Sequence, residues 1–77
     1  MADREIIKKG LKELMEMRVE NMAAAVRGTD SEQVQIAMGE YRESESVAAE
    51  FINVQNYHQR FIELSDVYSG KHSGVLL

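Results

Sequence analysis

Arg27-Gly28-Thr29-Asp30-Ser31-Glu32 is the stretch that decides the fold. A glycine followed by Thr-x-x-Glu reads as the end of one helix and the start of the next. Gly28 enters left-handed backbone at low cost, and Thr29 with Glu32 forms a capping box: Thr29 accepts from the Glu32 amide while Glu32 reaches back. So short a connection makes its neighbours antiparallel. The chain has no proline and no strand-like alternation, so helices on both sides meet little resistance.

Upstream of the turn, Ile7, Leu11, Leu14, Met15, Val19, Met22, Ala25 and Val26 gather on one face when projected at roughly 100° per residue, with Glu5, Lys9, Glu13, Glu16 and Glu20 opposite. This predicts a first helix over about 3–27, capped by Asp3, and a turn at 28–30. Downstream, a second helix is predicted over about 31–68, ended by Ser69-Gly70. It carries two apolar lines. Val34, Ala37, Met38, Tyr41, Ala48 and Ile52 make one, and Val47, Phe51, Val54, His58 and Phe61 make another, displaced by roughly a third of a turn. Either the seam drifts as a bundle supercoils, or the first line meets helix 1 and the second meets another molecule. The expected fold is all-α: an antiparallel two-helix hairpin with a longer second helix, one domain over residues 1–69, followed by a flexible tail at 70–77.

The predicted helices differ in length. The first spans roughly 35 Å and the second roughly 55 Å, so a hairpin leaves the far part of helix 2 uncovered. Phe51, Val54, Tyr57, His58, Phe61, Ile62, Leu64 and Tyr68 are therefore the candidate partner-binding residues, with the aromatic rings as anchors. A 77-residue chain without cysteine has no disulfide to supplement a small core, which leaves oligomerisation or docking to complete a helical bundle. Ile6 and Met17 mark a second, smaller contact face on helix 1. Val75-Leu76-Leu77 reads either as a frayed end or as a short docking peptide.

Arg18 falls within the apolar stripe and faces helix 2. The turn places it near Gly39, whose missing side chain leaves room, with Glu40 or Glu43 as partner in an ion pair that sets register. The alternative is that Arg18 snorkels to water along its stem. Glu40, Glu43, Glu45 and Glu50 lack the Glu-x-x-His spacing of a di-iron bundle, and His58 and His72 lack structural-zinc spacing, so neither metal nor cofactor is expected. No nucleophile constellation or phosphate-binding glycine loop occurs, and an enzyme is not expected.

The formal charge of −4 is unevenly spread: residues 1–29 carry six basic and five acidic groups, residues 30–66 eight acidic and two basic. An acidic second helix is a poor match for phosphates, and nucleic acid is not an expected partner. Arg4, Lys8, Lys9 and Lys12 form the one basic cluster, read either as a phosphate contact or as a solvated helix face. No apolar run reaches the ~20 residues of a membrane span, and no signal-type leader is visible, so the expectation is a soluble chain made without a cleaved leader and without a membrane partner.

The order Leu11-x-x-Leu14, Val26-Arg27-Gly28-Thr29-Asp30, then Ala37-Met38-Gly39-Glu40-Tyr41 and a long amphipathic stretch resembles short helical-hairpin proteins encoded among phage head and packaging genes. The resemblance spans about residues 10–55. It implies a virion or assembly component, located in the virion or the host cytoplasm, whose partner is a capsid- or portal-type assembly or another copy. In architecture, though not in motif, the expected hairpin is also similar to the plasmid regulator Rop, which dimerises as a four-helix bundle. That likeness supports the alternative function, a small acidic regulator or inhibitor of a host or viral protein.

Overall fold

Three helices run through the described residues: α1 (Ala2–Arg27), α2 (Ser31–Ala48) and α3 (Gln55–Gly74). The computed structural model describes residues 2–74, with side chains from 3 to 70, and no strand occurs among them. The all-helical class follows the apolar periodicity directly.

Met15, Val19, Met22 and Val26, at spacings of four, three and four, are each no more than 3 % exposed on the inner face of α1. The helix begins at Ala2, so Asp3 lies inside the first turn beside Glu5 instead of capping it, where both carboxylates favour the positive end of the helix dipole. At the other end the Gly28 amide donates to the Ala25 carbonyl at 3.1 Å, a tight closing turn. No glycine among the described residues has positive φ, so Gly28 does not take the left-handed backbone expected of it. The cap of α2 is Asp30, with φ −93° and ψ 104°, and its carboxylate accepts from the Glu32 amide at 2.9 Å. The N-cap expected at Thr29 thus falls one residue later, at Asp30, whose bond to the Glu32 amide stands in place of the expected Thr29 capping box. An ionised Asp oxygen is a stronger acceptor than the Thr29 hydroxyl and reaches the same orphan amide.

The second helix does not run from 31 to 68. It ends at Ala48, and residues 49–54 turn the chain before α3. The Ala48 carbonyl accepts from both the Phe51 and Ile52 amides at 2.9 Å, which tightens the last turn. Asn53 then makes an Asx turn, its side-chain oxygen accepting from the Gln55 amide at 2.9 Å. Phe51-Ile52-Asn53-Val54 is a run of aromatic, β-branched and Asx residues, all weak helix formers, so the break sacrifices little propensity. It gains the burial of α3. The tail expected at 70–77 also differs, since α3 continues to Gly74. Val75–Leu77, with the docking peptide suggested there, lies outside the described residues.

α3 folds back along the hairpin. His58 meets Glu45 and Phe61 meets Tyr41, so α3 runs antiparallel to α2; Arg60 meets Glu16 of α1, and α3 lies closer to α1 than to α2. The core consists of Met15, Val19, Met22 and Val26 from α1, Val34, Ala37, Tyr41 and Ala48 from α2, and Phe61 from α3, with Leu11, Ile52, Val54, Tyr57, Leu64 and Tyr68 packed around it. The premise that the far apolar face finds no cover within the chain does not hold: its inner half covers the hairpin. The molecule is a rod of 55 × 19 × 15 Å with a radius of gyration of 14.2 Å, against roughly 11.5 Å for a compact domain of this length. Part of that length is α1, whose first two turns project past the end of α2 and leave Ile6 and Ile7 exposed.

Replacing Phe61 by Ala is expected to cost about 3 to 4 kcal/mol, because the ring is buried against Tyr41 and leaves a cavity. Phe51→Ala, at an exposed position of the connecting turn, is expected to cost less than about 1 kcal/mol. Urea unfolding followed by circular dichroism distinguishes the two; equal losses would contradict this packing.

Candidate interaction surfaces

The seam between α2 and α3 is built on Tyr41. The Tyr41 and Phe61 rings stack with centroids 4.4 Å apart and planes 9° from parallel, and the Arg42 guanidinium lies 5.6 Å from the Phe61 centroid, within cation–π range. Tyr41 is fully buried. Its hydroxyl donates to Glu45 Oε1 at 2.5 Å, one helical turn away, and His58 Nδ1 lies 2.9 Å from the same oxygen. An ionised carboxylate only accepts, so the Nδ1 proton is the one that makes this contact. Burial, then the hydrogen bond to Glu45 and its negative charge, push the Tyr41 phenol well above its ordinary value. These groups hold two helices together, and Glu45 is part of that joint.

On the opposite side of the hairpin lies a groove between α1 and α2 that, among the described residues, no α3 side chain lines. Its section near the turn is lined by Asn21, Ala25, Gly28, Gln33, Ile36 and Glu40, and its continuation by Leu14, Arg18, Glu40, Glu43, Ser44 and Val47. Glu40 belongs to both. The volumes are about 480 and 310 Å³. Ile36 and Val47 on its rim are 47 % and 50 % exposed. Arg18 spans the groove: its Nη1 lies 3.6 Å from Glu40 Oε1, and its Nε donates to Ser44 Oγ at 3.1 Å. Ser44 in turn donates to the Glu40 carbonyl at 2.9 Å. The expected Arg18 pairing is therefore made with Glu40; Glu43 lines the same groove without an ion pair among the described residues. Gly39 plays no part in it. It is exposed, and a Cβ added there would meet nothing within 4 Å. Ser44 was legible as a polar residue on the line Ala37, Tyr41, Ala48, where Arg18 had to find a partner.

The candidate partner-binding residues divide. Phe61 is buried, and Val54, Tyr57, Leu64 and Tyr68 are half-buried against the core. His58 is exposed but bonded to Glu45. Phe51 and Ile62 remain open to solvent, at 38 % and 40 %. Of the two faces expected on helix 1, Ile6 and Met17 are exposed at 68 % and 52 %.

A third surface lies where the connecting turn passes α1. Lys8, Lys12 and Glu16 of α1, Phe51, Ile52 and Asn53 of the turn, and Asn56, Tyr57 and Arg60 of α3 enclose an open cleft of about 680 Å³. Arg60 Nη1 donates to both oxygens of Glu16, at 3.0 and 2.9 Å, and that bond raises the Arg60 pKa further above its ordinary value. Lys8 contacts Glu5 at 3.8 Å. Among the described residues, no cluster of three or more His, Cys, Asp or Glu is placed to hold a metal ion, and no helix is long and apolar enough to cross a membrane. Comparison with family models, with curated proteins and with solved structures finds no match to this chain.

Two expectations follow. Gly39→Ala should raise stability by about 0.5 to 1 kcal/mol, since an exposed helical glycine with open space around it contributes only backbone entropy to the unfolded state; a loss in thermal unfolding would contradict the geometry. Tyr41 sets an alkaline limit. Its proton is retained in the fold and released by the unfolded chain above a pH of about 10, so stability falls as pH rises beyond that point. Urea titrations on either side of it should show a larger loss for the wild type than for Tyr41→Phe.

Proposed function

We propose that this protein is a non-enzymatic interaction module that pairs with a second copy of itself through the α1–α2 groove turned away from α3. The observation that carries this reading is the groove itself: a furrow from Gly28 to Val47, rimmed by the exposed Ile36 and Val47, with α3 committed to the other side of the hairpin. The area supports it. The chain exposes 5527 Å², where a compact monomer of its mass exposes roughly 4,700 Å²; the surplus of roughly 800 Å² matches what one protein contributes to an interface of ordinary size. The charges support it too. The groove carries both signs, and in a two-fold arrangement each copy sets the unpaired Glu43 against the other's Arg18. The apolar rim would be the affinity term, and the charges would fix register.

The role we attach to this pairing is that of a phage virion or assembly component. It rests on the resemblance of residues 10–55 to the helical hairpins of phage head and packaging genes. In this reading the docking surface lies on the hairpin and not on the far part of the expected helix 2. Phe61, Leu64 and Tyr68 serve the core, and the contact surface passes to the outer face of the hairpin.

Sedimentation equilibrium from micromolar to millimolar concentration tests the pairing. The wild type is expected to form a discrete dimer, and Val47→Glu to weaken it by at least roughly tenfold with unchanged helical circular dichroism. A wild type that stays monomeric throughout would overturn self-pairing and leave a larger assembly as the partner. A dimer insensitive to Val47→Glu would place the contact elsewhere.

A further inference from the structure

We propose that the cleft between the first turns of α1 and the start of α3 binds a nucleotide, its phosphate held by Lys8, Lys12 and Arg60 and its base laid on Phe51. This goes beyond the pairing above and uses different residues.

The sequence places basic groups in α1 but not what they face. The fold brings three cations from two helices around one cleft of about 680 Å³, within the size range of small-molecule sites. Lys8 and Lys12 stand one turn apart on the same side of α1, and Arg60 reaches in from α3. Against the single lining carboxylate of Glu16, the cleft is net positive in a chain whose formal charge is −4. A hydrated phosphate needs such local charge to exchange its water for protein donors.

The groups differ in readiness. Arg60 is positioned in advance by its two bonds to Glu16 at 2.9 and 3.0 Å, and its remaining guanidinium donors stay available. Lys12 and Asn56 carry no hydrogen bond or ion pair among the described residues, so their donors meet an incoming anion without breaking an existing contact. α3 begins at this cleft, and the positive end of its dipole adds to the same field. Phe51, 38 % exposed on the connecting turn, is the one aromatic ring of the lining left open. A base is the flat, weakly hydrated group that such a ring takes by stacking, with no demand on base identity.

The phosphate ester and base can come from a free mononucleotide or from a single strand of nucleic acid. Amide chemical shifts of the full chain, followed during titration with adenosine 5′-monophosphate, ribose 5-phosphate, adenosine and a short single-stranded oligonucleotide, separate these sources. Shifts are expected at Asn53, Asn56 and their neighbours with the mononucleotide or the oligonucleotide. Lys12→Glu, an exposed change that leaves the core intact, is expected to weaken binding by at least roughly tenfold. Binding by the oligonucleotide alone, with the same sensitivity, assigns the site to a strand. Ribose phosphate binding as tightly as the nucleotide would overturn the role of Phe51. No shift with any of the four, or shifts unchanged by Lys12→Glu, would overturn the site.

Discussion

The stack of Phe61 on Tyr41 is the contact on which the rest of this structure depends. Tyr41 lies at the middle of α2, and a continuous second helix would carry Phe61 about five and a half turns further along the same axis, far from it. Bringing the rings to 4.4 Å requires the helix to end, the chain to reverse and α3 to return along the hairpin. The reversal costs a few helical hydrogen bonds, which the Ala48 carbonyl and Asn53 side chain largely replace. It buries one large ring completely and another almost so, which is worth more than an uninterrupted helix with its apolar face in water.

Polar groups follow from that return. Tyr41 can be wholly buried because Glu45 accepts a hydrogen bond from its hydroxyl, and Glu45 can serve there because His58 arrives with α3 to share its oxygen. On the other side of the hairpin, Arg18 enters an apolar line only because Ser44 and Glu40 receive it. No buried side-chain donor or acceptor among the described residues lacks a partner. The arrangement commits one face of the hairpin to α3 and leaves the other as a groove, which is how a fold of three helices comes to have an unoccupied side.

The helical class, the position of the first turn and a pairing of Arg18 with Glu40 or Glu43 were legible in the chain, and the structure selects Glu40. The break at 49–54 was present too, but in a form that glycine and proline do not mark. The displacement of the second apolar line from Val47 onward is the trace of a new helix with its own phase. Asn53, between Ile52 and Val54, is its start signal. A phase shift of this kind is equally what a drifting supercoil seam or a second contact face produces, so periodicity alone does not separate the three. The cap assigned to Thr29 moved to Asp30 for a similar reason: two adjacent oxygen-bearing residues can reach the same amide, and only the backbone angles choose between them.

The sequence by itself determined that the chain is helical, because apolar spacing and the absence of proline act locally. It determined that α1 and α2 lie antiparallel, because a three-residue turn allows little else, and that Glu40 and Glu43 are within reach of Arg18 across the hairpin. The tertiary structure alone decided where the second helix ends and which of its aromatic residues become core. It also decided that Lys8, Lys12 and Arg60 share a cleft. Those outcomes depend on contacts between residues tens of positions apart, whose burial outweighs a local preference of only tenths of a kcal/mol per residue.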